Sequence, residues 1–247
     1  MDLVSIPVPG SSAEAYVARP ASGSGPGVLL FMDAIGVRPR LAQMADRIAG
    51  WGYVVLVPNV FHRSGTVEQV APHADLREPG EREAFFGQAM PRIGELTTDL
   101  ALADIDAYLE TLHDLDGVTG ERVGVLGYCM GARLAIRAAT SHPDEVVACA
   151  GFHGGGLVTG ESDSPHRQIP SARAEFAFGH ADNDGSMPPE AVTTLGETLA
   201  ASGLTATNEV YVGAAHGYSM ADTSMYDERA TERSFASLEA LFARTLR

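Results

Sequence analysis

The pattern of hydrophobic and polar positions predicts strands and helices that alternate along most of the chain. Short, continuously apolar runs are typical of strands that are covered on both faces of a parallel sheet. Such runs lie at 27–32, 53–58 and 146–152, and further strand patterns that include a polar residue lie at 122–127, 174–179 and 208–212. Amphipathic stretches predict helices at about 40–50, 96–112, 129–140, 188–201 and 227–246. Because strand, helix and strand in succession form a right-handed parallel crossover, we predict an α/β protein with a mostly parallel, doubly wound sheet and flanking helices.

Two segments depart from this alternation. Residues 2–8 and 13–19 carry strand patterns on either side of a turn, which predicts an antiparallel pair at the N-terminus. Between about 60 and 91 the pattern is interrupted by Gly, Pro and charged residues, which predicts a long loop or a lid-like excursion. A solvated insertion attached by its aromatic side chains is the alternative for this segment. No internal repeat is visible, and we expect a single domain over residues 1–247.

The charge balance of the chain argues against a polyanionic partner. Lys and Arg number 17 against 32 Asp and Glu, so the formal net charge is −15. No basic cluster offsets this charge, which argues against binding to nucleic acid or to an anionic membrane. No apolar run approaches the roughly 18 residues of a membrane span. We therefore expect a small-molecule partner, and a monomer or a small homo-oligomer.

The cysteine and histidine content narrows the chemistry further. Cys129 and Cys149 are too few for a disulfide scaffold, and no Cys-x-x-Cys pair indicates zinc or redox chemistry. Cys149 lies in a predicted buried strand and is expected in the core. The histidines show no metal-ligand spacing, so we expect no metal. The first residues lack the charged and apolar regions of a signal peptide, and the cytoplasm keeps a free thiol reduced, so we expect a cytoplasmic protein.

The sequence Gly127-Tyr128-Cys129-Met130-Gly131 joins a predicted strand to a predicted helix. It resembles the Gly-x-Ser-x-Gly turn of α/β-hydrolases, which exposes a nucleophile at the carboxyl end of the sheet. The glycines suit a turn that brings the strand and helix backbones too close for a Cβ atom. The helix N-terminus behind Cys129 favours a thiolate. The alternative is an inert, buried core cysteine.

Polar residues follow two later strands in the order that a catalytic triad requires. Asp182 and Asp184 follow the strand 174–179, and His216 follows the last strand. Ligands of open α/β sheets bind outside the carboxyl ends of the strands, so we expect these groups to share one crevice with Cys129. The order nucleophile, acid and histidine is that of α/β-hydrolases.

This order assigns a role to each group. A thiol with an ordinary pKa is only a few per cent thiolate at neutral pH, so Cys129 needs His216 as its base. A carboxylate holds the imidazole in the correct tautomer and stabilises its positive form. In the α/β-hydrolase arrangement, the backbone N–H groups of Met130 and Ala34 would stabilise the oxyanion.

The elbow Gly127 to Gly131, an Asp-x-x-Met-Pro segment and Ala215-His216 together resemble the dienelactone hydrolase family. The resemblance covers nearly all of the chain and implies a single-domain α/β-hydrolase fold without a cofactor. It also implies hydrolysis of small esters or lactones through a Cys-His-Asp triad and a thioester. The family's acid is followed three residues later by an apolar residue and then Pro, which favours Asp184 with Met187 over Asp182.

Two positions depart from the family's pattern. Asp33 stands where the family has a glutamate that controls the ionisation of the resting thiol; a loop-capping role is the alternative for Asp33. Met220 stands where a family arginine binds the substrate carboxylate, which favours an apolar ester or lactone over an anionic dienelactone. A second family arginine falls within the 60–91 excursion, where Arg77 and Arg82 both remain candidates.

Five residues are expected near the substrate, and His153 among them is expected as a pocket wall rather than a catalyst. These residues are Ile35, Phe85, Tyr128, His153 and Met220. Two other functions stay open: a ligand-binding protein that retains the hydrolase fold without turnover, and a redox sensor at Cys129.

Overall fold

The N-terminal part of the chain forms the mixed part of the sheet. The computed structural model describes residues 1–246 and divides into two compact units, the first made of residues 1–121 with 222–224. Its strands are β1 (Leu3–Val8), β2 (Ser11–Ala18), β3 (Gly27–Phe31) and β4 (Val54–Pro58). They are ordered β1-β2-β4-β3, with β1 and β2 antiparallel to their neighbours and β3 parallel to β4.

The helices of the first unit include two, the second and the third in chain order, that the sequence pattern did not predict. They are α1 (Pro39–Ala49), α2 (Val67–Val70), α3 (Glu81–Glu95) and α4 (Thr98–Asp114). Helix α1 buries Leu41, Met44, Ala45 and Ile48, the face that the periodicity predicted. Residues 60–91 contain α2 and most of α3, so the expectation of an irregular segment was wrong for that part; its role as a lid stays a prediction.

The second unit contains the parallel strands that carry the candidate chemistry. It comprises residues 122–221 and the segment from 225 onwards. Its strands β5 (Val123–Tyr128), β6 (Val146–Phe152), β7 (Glu175–Ala181) and β8 (Ala206–Tyr211) pair in parallel in this order. Its helices are α5 (Gly131–Ser141), α6 (Pro189–Ala201) and α7 (Glu228–Thr245), with a 3-10 helix at Pro165–Ser171. Burial of β5 along its whole length explains its continuous apolar run.

The predicted fold class is confirmed: the strands form a mostly parallel α/β sheet with flanking helices and an antiparallel N-terminal pair. The expectation of a single domain remains a prediction. Within residues 1–246, none of the helices combines the length and the apolar composition that a bilayer crossing demands.

The turn between β5 and α5 depends on close contact between backbones. Cys129 has a φ of 55°, in the left-handed region that non-glycine residues rarely adopt. A Cβ atom on Gly127 would lie 2.0 Å from the carbonyl oxygen of Gly131. Only glycine fits at position 127, and this close approach allows the chain to reverse direction at Cys129.

Candidate active site

Cys129 is fixed by its backbone at the start of α5. Its N–H donates to the carbonyl of Phe152 at the end of β6 (3.1 Å), and its carbonyl accepts from the N–H of Ala132 (3.2 Å). The side chain is partly exposed. The thiol therefore lies at the N-terminal, positive end of the dipole of α5.

Asp184 lies in the loop after β7 and is held by Ser186. Its Oδ1 accepts hydrogen bonds from the backbone N–H of Ser186 (2.9 Å) and from the Ser186 hydroxyl (2.7 Å). Its Oδ2 lies 2.6 Å from Nδ1 of His216. Burial raises the pKa of the Asp184 carboxyl, but these hydrogen bonds and the charge of His216 outweigh burial and lower it to about 2.

Asp182 has a different set of contacts. Its Oδ2 accepts from the N–H of Gly213 (2.9 Å), and its own N–H donates to the carbonyl of Ala214 (2.7 Å). Asp182 thereby joins the loops that follow β7 and β8. The structure brings Asp184 to His216 and leaves Asp182 in this connecting role.

His216 makes a hydrogen bond through each ring nitrogen. Nδ1 faces the carboxylate of Asp184, and Nε2 lies 3.0 Å from Sγ of Cys129. Burial lowers the pKa of the imidazole, but the hydrogen bonds and charges of Asp184 and Cys129 outweigh burial and raise it to about 10. This environment favours the imidazolium form of His216 at neutral pH.

The ion pair of Asp184 and His216 also links stability to pH. The pKa of Asp184 falls from 3.8 to about 2, so its contribution is complete above pH 3.8 and is lost as pH falls through about 2. The pKa of His216 rises from 6.5 to about 10, so its contribution is complete below pH 6.5 and is lost as pH rises through about 10. The pair therefore stabilises the fold most strongly in mildly acidic solution.

The two backbone groups predicted to stabilise the oxyanion lie in different units. Met130 directly precedes α5, and Ala34 lies in the loop after β3, where Gly36 N–H donates to the Asp33 carbonyl (3.2 Å). Among the described residues, no protein acceptor takes the N–H of Met130 or of Ala34. Each donor is thus available to another acceptor, and their joint role stays a prediction.

Asp33 has a partner that sequence reasoning missed. Its two carboxylate oxygens accept from Nη1 (2.6 Å) and Nη2 (3.1 Å) of Arg38, which also donates to Asp222 Oδ1 (3.2 Å). Burial lowers the pKa of Arg38, but the two carboxylates outweigh burial and raise it above its ordinary value. The signal for this contact in the sequence was that Arg38 follows Asp33 closely along the chain. The predicted effect of Asp33 on the thiol stays a prediction.

Arg133 is a second basic residue that the sequence reading passed over. It is the third residue of α5 and is half-buried. Burial lowers the pKa of its guanidinium, while the negative charge of a Cys129 thiolate acts in the opposite direction. Arg133 thus places a positive charge near the thiol of Cys129. Its position four residues after the nucleophile was the signal in the sequence.

The residues expected around the substrate differ in exposure. Ile35, Tyr128, His153 and Met220 are buried. Phe85 is half-buried in the first unit, where it lines a cavity of about 210 Å³ together with Leu76, His73 and Arg92. Their part in substrate binding stays a prediction. Across residues 1–246, no group of three or more His, Cys, Asp or Glu side chains is placed to hold a metal ion.

Comparison with known proteins places these contacts in context. Residues 13–246 match the model of the dienelactone hydrolase family. A carboxymethylenebutenolidase of Rhodococcus opacus is 35% identical over 141 residues, which are 57% of this chain and only 49% of that protein. Carboxymethylenebutenolidase 1 of Cupriavidus pinatubonensis is 24% identical over 88% of this chain and 85% of its own length. A crystal structure from Klebsiella pneumoniae matches with a TM-score of 0.82 at 24% identity, covering 98% of both chains.

Asp184→Asn tests the role of the acid. Loss of the carboxylate removes a charge that raises the pKa of His216, so the imidazolium should deprotonate at lower pH than about 10. We expect kcat/KM for a small ester to fall about 10²- to 10⁴-fold, and its alkaline limb to move to lower pH. Profiles of kcat/KM between pH 5 and 11 measure both effects.

Asp182→Asn is the matched control, since its amide oxygen can still accept from Gly213 and it has no contact with His216. Its pH profile should follow that of the wild type. A wild-type profile for Asp184→Asn, or a larger defect for Asp182→Asn, would contradict the assignment of the acid.

Proposed function

Because the chain belongs to the dienelactone hydrolase family, we propose that it hydrolyses small esters or lactones with Cys129 as nucleophile, His216 as base and acid, and Asp184 as the orienting carboxylate. The observation that carries this proposal is the pair of contacts at His216, 3.0 Å to the thiol and 2.6 Å to the carboxylate. A nucleophile, a base and an orienting group within hydrogen-bond reach are the geometric requirement for covalent catalysis.

Acylation begins with the thiolate. Sγ of Cys129 forms a bond to the carbonyl carbon, and the carbonyl electron pair moves to oxygen. The N–H of Met130, with that of Ala34 as the proposed second donor, stabilises this oxyanion. When the carbonyl re-forms, the C–O bond to the leaving group breaks and the imidazolium of His216 gives its Nε2 proton to the alkoxide. The product of this step is a thioester on Cys129, and a lactone ring opens without loss of a fragment.

Deacylation uses the same groups in the reverse roles. Neutral His216 accepts a proton from water through Nε2, and the hydroxide attacks the thioester carbon. The C–S bond breaks, the thiolate leaves, and the imidazolium re-forms beside it. Asp184 keeps the Nδ1 proton in place throughout, so that Nε2 is always the nitrogen that exchanges protons.

The proposed substrate is an apolar ester or lactone rather than a strongly anionic one. Met220 is buried and brings no charge to the position where a family arginine binds a carboxylate. The formal net charge of −15 also disfavours the approach of anions. Arg38 does not replace the missing charge, because Asp33 and Asp222 already bind its guanidinium.

Redox sensing through an internal disulfide is disfavoured by the environment of Cys149. This residue is fully buried in β6, and burial raises the pKa of its thiol above the ordinary value. A protonated, inaccessible thiol is a poor partner for an oxidised Cys129. Hydrolysis is therefore the function that the site supports best.

Cys129→Ala tests the nucleophile. The variant removes Sγ, and we expect kcat for p-nitrophenyl acetate to fall by about 10³-fold or more, toward the rate that the remaining groups support. Steady-state hydrolysis measures the loss. Cys149→Ala is the control, since it removes a thiol that is buried in the core. Full activity of a folded Cys129→Ala variant would rule out the proposed function.

A substrate panel tests the proposed specificity. We expect kcat/KM to be higher for neutral lactones and short esters than for the same ring systems carrying a carboxylate. The reason is that residue 220 is a methionine, which has no positive charge to neutralise the anion. The values should be compared at fixed ionic strength. A decisive preference for the carboxylate-bearing lactones would overturn this specificity and leave the nucleophile untouched.

A further inference from the structure

His153 occupies an unusual position at the end of β6. Its φ is 40°, in the left-handed region, and its side chain is fully buried. Its backbone N–H donates to the carbonyl of Gly179 on β7 (2.8 Å). A residue other than glycine keeps such a conformation only where surrounding contacts hold it.

The ring of His153 contacts the loop that carries the proposed base. Nε2 of His153 and Oγ of Ser219 are hydrogen bonded at 2.7 Å, and Ser219 is fully buried. The ring also lies edge-on to the ring of His216, with centroids 5.4 Å apart, and to that of Tyr218 at 4.9 Å. His153 therefore contacts the ring of His216 and, through Ser219, its backbone segment.

Residues 215–220, here called the histidine loop, form two consecutive turns. The N–H of Tyr218 donates to the carbonyl of Ala215 (3.0 Å), and the N–H of Met220 donates to the carbonyl of Gly217 (2.9 Å). His216 and Ser219 are thus parts of one tightly turned segment. A constraint on Ser219 is transmitted to His216 over three residues.

The segment before His153 fixes the nucleophile as well. The carbonyl of Phe152 accepts the hydrogen bond from the N–H of Cys129. Two adjacent residues at the end of β6 therefore hold both reacting partners: Phe152 holds the backbone of the thiol, and His153 holds the histidine loop. The distance between Sγ of Cys129 and Nε2 of His216 therefore depends on these two residues.

Other contacts hold the histidine loop without His153. The Tyr218 hydroxyl donates to the carbonyl of Gly179 (3.0 Å). The Tyr218 carbonyl accepts from the N–H of Asp227 (2.9 Å) and from the Thr231 hydroxyl (2.9 Å). Loss of the contact between His153 and Ser219 should therefore shift the loop rather than unfold it.

We propose that His153 is a positioning residue for His216, acting through its hydrogen bond to Ser219 and its edge contact with the His216 ring. This inference rests on the proposed function of Cys129 and His216. Misplacement of a reacting group by about 1 Å costs about 10²-fold in rate, so a small shift of the histidine loop is enough to be measured.

The experiment compares Ser219→Ala, His153→Phe, the double variant and His153→Gln. Phenylalanine keeps an aromatic ring but cannot bond to Ser219, whereas the glutamine amide can. Ser164→Ala is the matched control, because it removes another buried serine hydroxyl that is hydrogen bonded to a histidine, His166, at 2.8 Å. The readouts are kcat and KM for p-nitrophenyl acetate, the pH dependence of Cys129 alkylation by iodoacetamide, and the urea unfolding midpoint.

We expect Ser219→Ala and His153→Phe each to lower kcat by about 10- to 100-fold with little change in KM. The midpoint of the alkylation profile should move to higher pH, because a displaced imidazolium stabilises the thiolate less. The double variant should be no slower than the slower single variant, and His153→Gln should recover most of the rate. Ser164→Ala should lower the unfolding midpoint and keep the wild-type kcat and alkylation profile.

The proposal is overturned if Ser219→Ala lowers only the unfolding midpoint and keeps the wild-type kcat and alkylation profile. Ser219→Ala carries the test alone if His153→Phe does not fold. Alkylation reports the thiol and imidazole without turnover, so this failure is distinct from that of the proposed function, which Cys129→Ala tests. If the variants keep the wild-type alkylation profile, His153 has only a structural role in the core, even if the protein is an active hydrolase.

Discussion

The hydrogen bonds at the two ring nitrogens of His216 are the constraint on which the candidate site depends. Each partner comes from a different loop at the carboxyl ends of parallel strands: Cys129 after β5, Asp184 after β7 and His216 after β8. The parallel sheet brings these sequence-distant loops together. The elbow adds the requirement that the thiol point out of the turn, and the absence of a Cβ atom at Gly127 permits that geometry.

Hydrogen bonds and neighbouring charges in the site offset the free-energy cost of burying ionised groups. Asp184 is buried and His216 is partly buried, yet the pKa of the first is lowered to about 2 and that of the second is raised to about 10. Each ionised group is stabilised by its neighbour, and Ser186 adds two donors on the far side of the carboxylate. The site therefore holds its charges ready before substrate arrives, which is the condition for preorganised catalysis.

The sequence predicted the parts of the structure that follow strong periodicity. Apolar runs such as Val54–Pro58 located the buried strands, and helix α1 presents the predicted face. Helix α3 was missed because Gly87 and Pro91 interrupt its pattern and Ala89 is its one buried side chain, so little periodicity remains to be read. Helix ends differ by one to a few residues, as for α5, which begins at Gly131.

Some residues of the candidate site could likewise be predicted from the sequence, and others could not. Cys129 and His216 could be named because strand order and residue type are visible in the sequence, whereas the choice of Asp184 over Asp182 depended on the resemblance to the family. Ser186, Ser219 and Arg38 could not be named, because their contacts depend on loop conformation that no periodicity encodes. His153 was placed near the site, but its left-handed φ and its contact with Ser219 became visible only in three dimensions.

The thioester on Cys129 is the central claim, and acid quenching followed by peptide mass spectrometry tests it most directly. The wild-type protein is mixed with p-nitrophenyl acetate, quenched within milliseconds and digested at low pH, where a thioester survives. The account predicts an acetyl group on the peptide containing Cys129, formed at least as fast as kcat. An acetyl group on another residue, or one that forms on Cys129 more slowly than turnover, would contradict it.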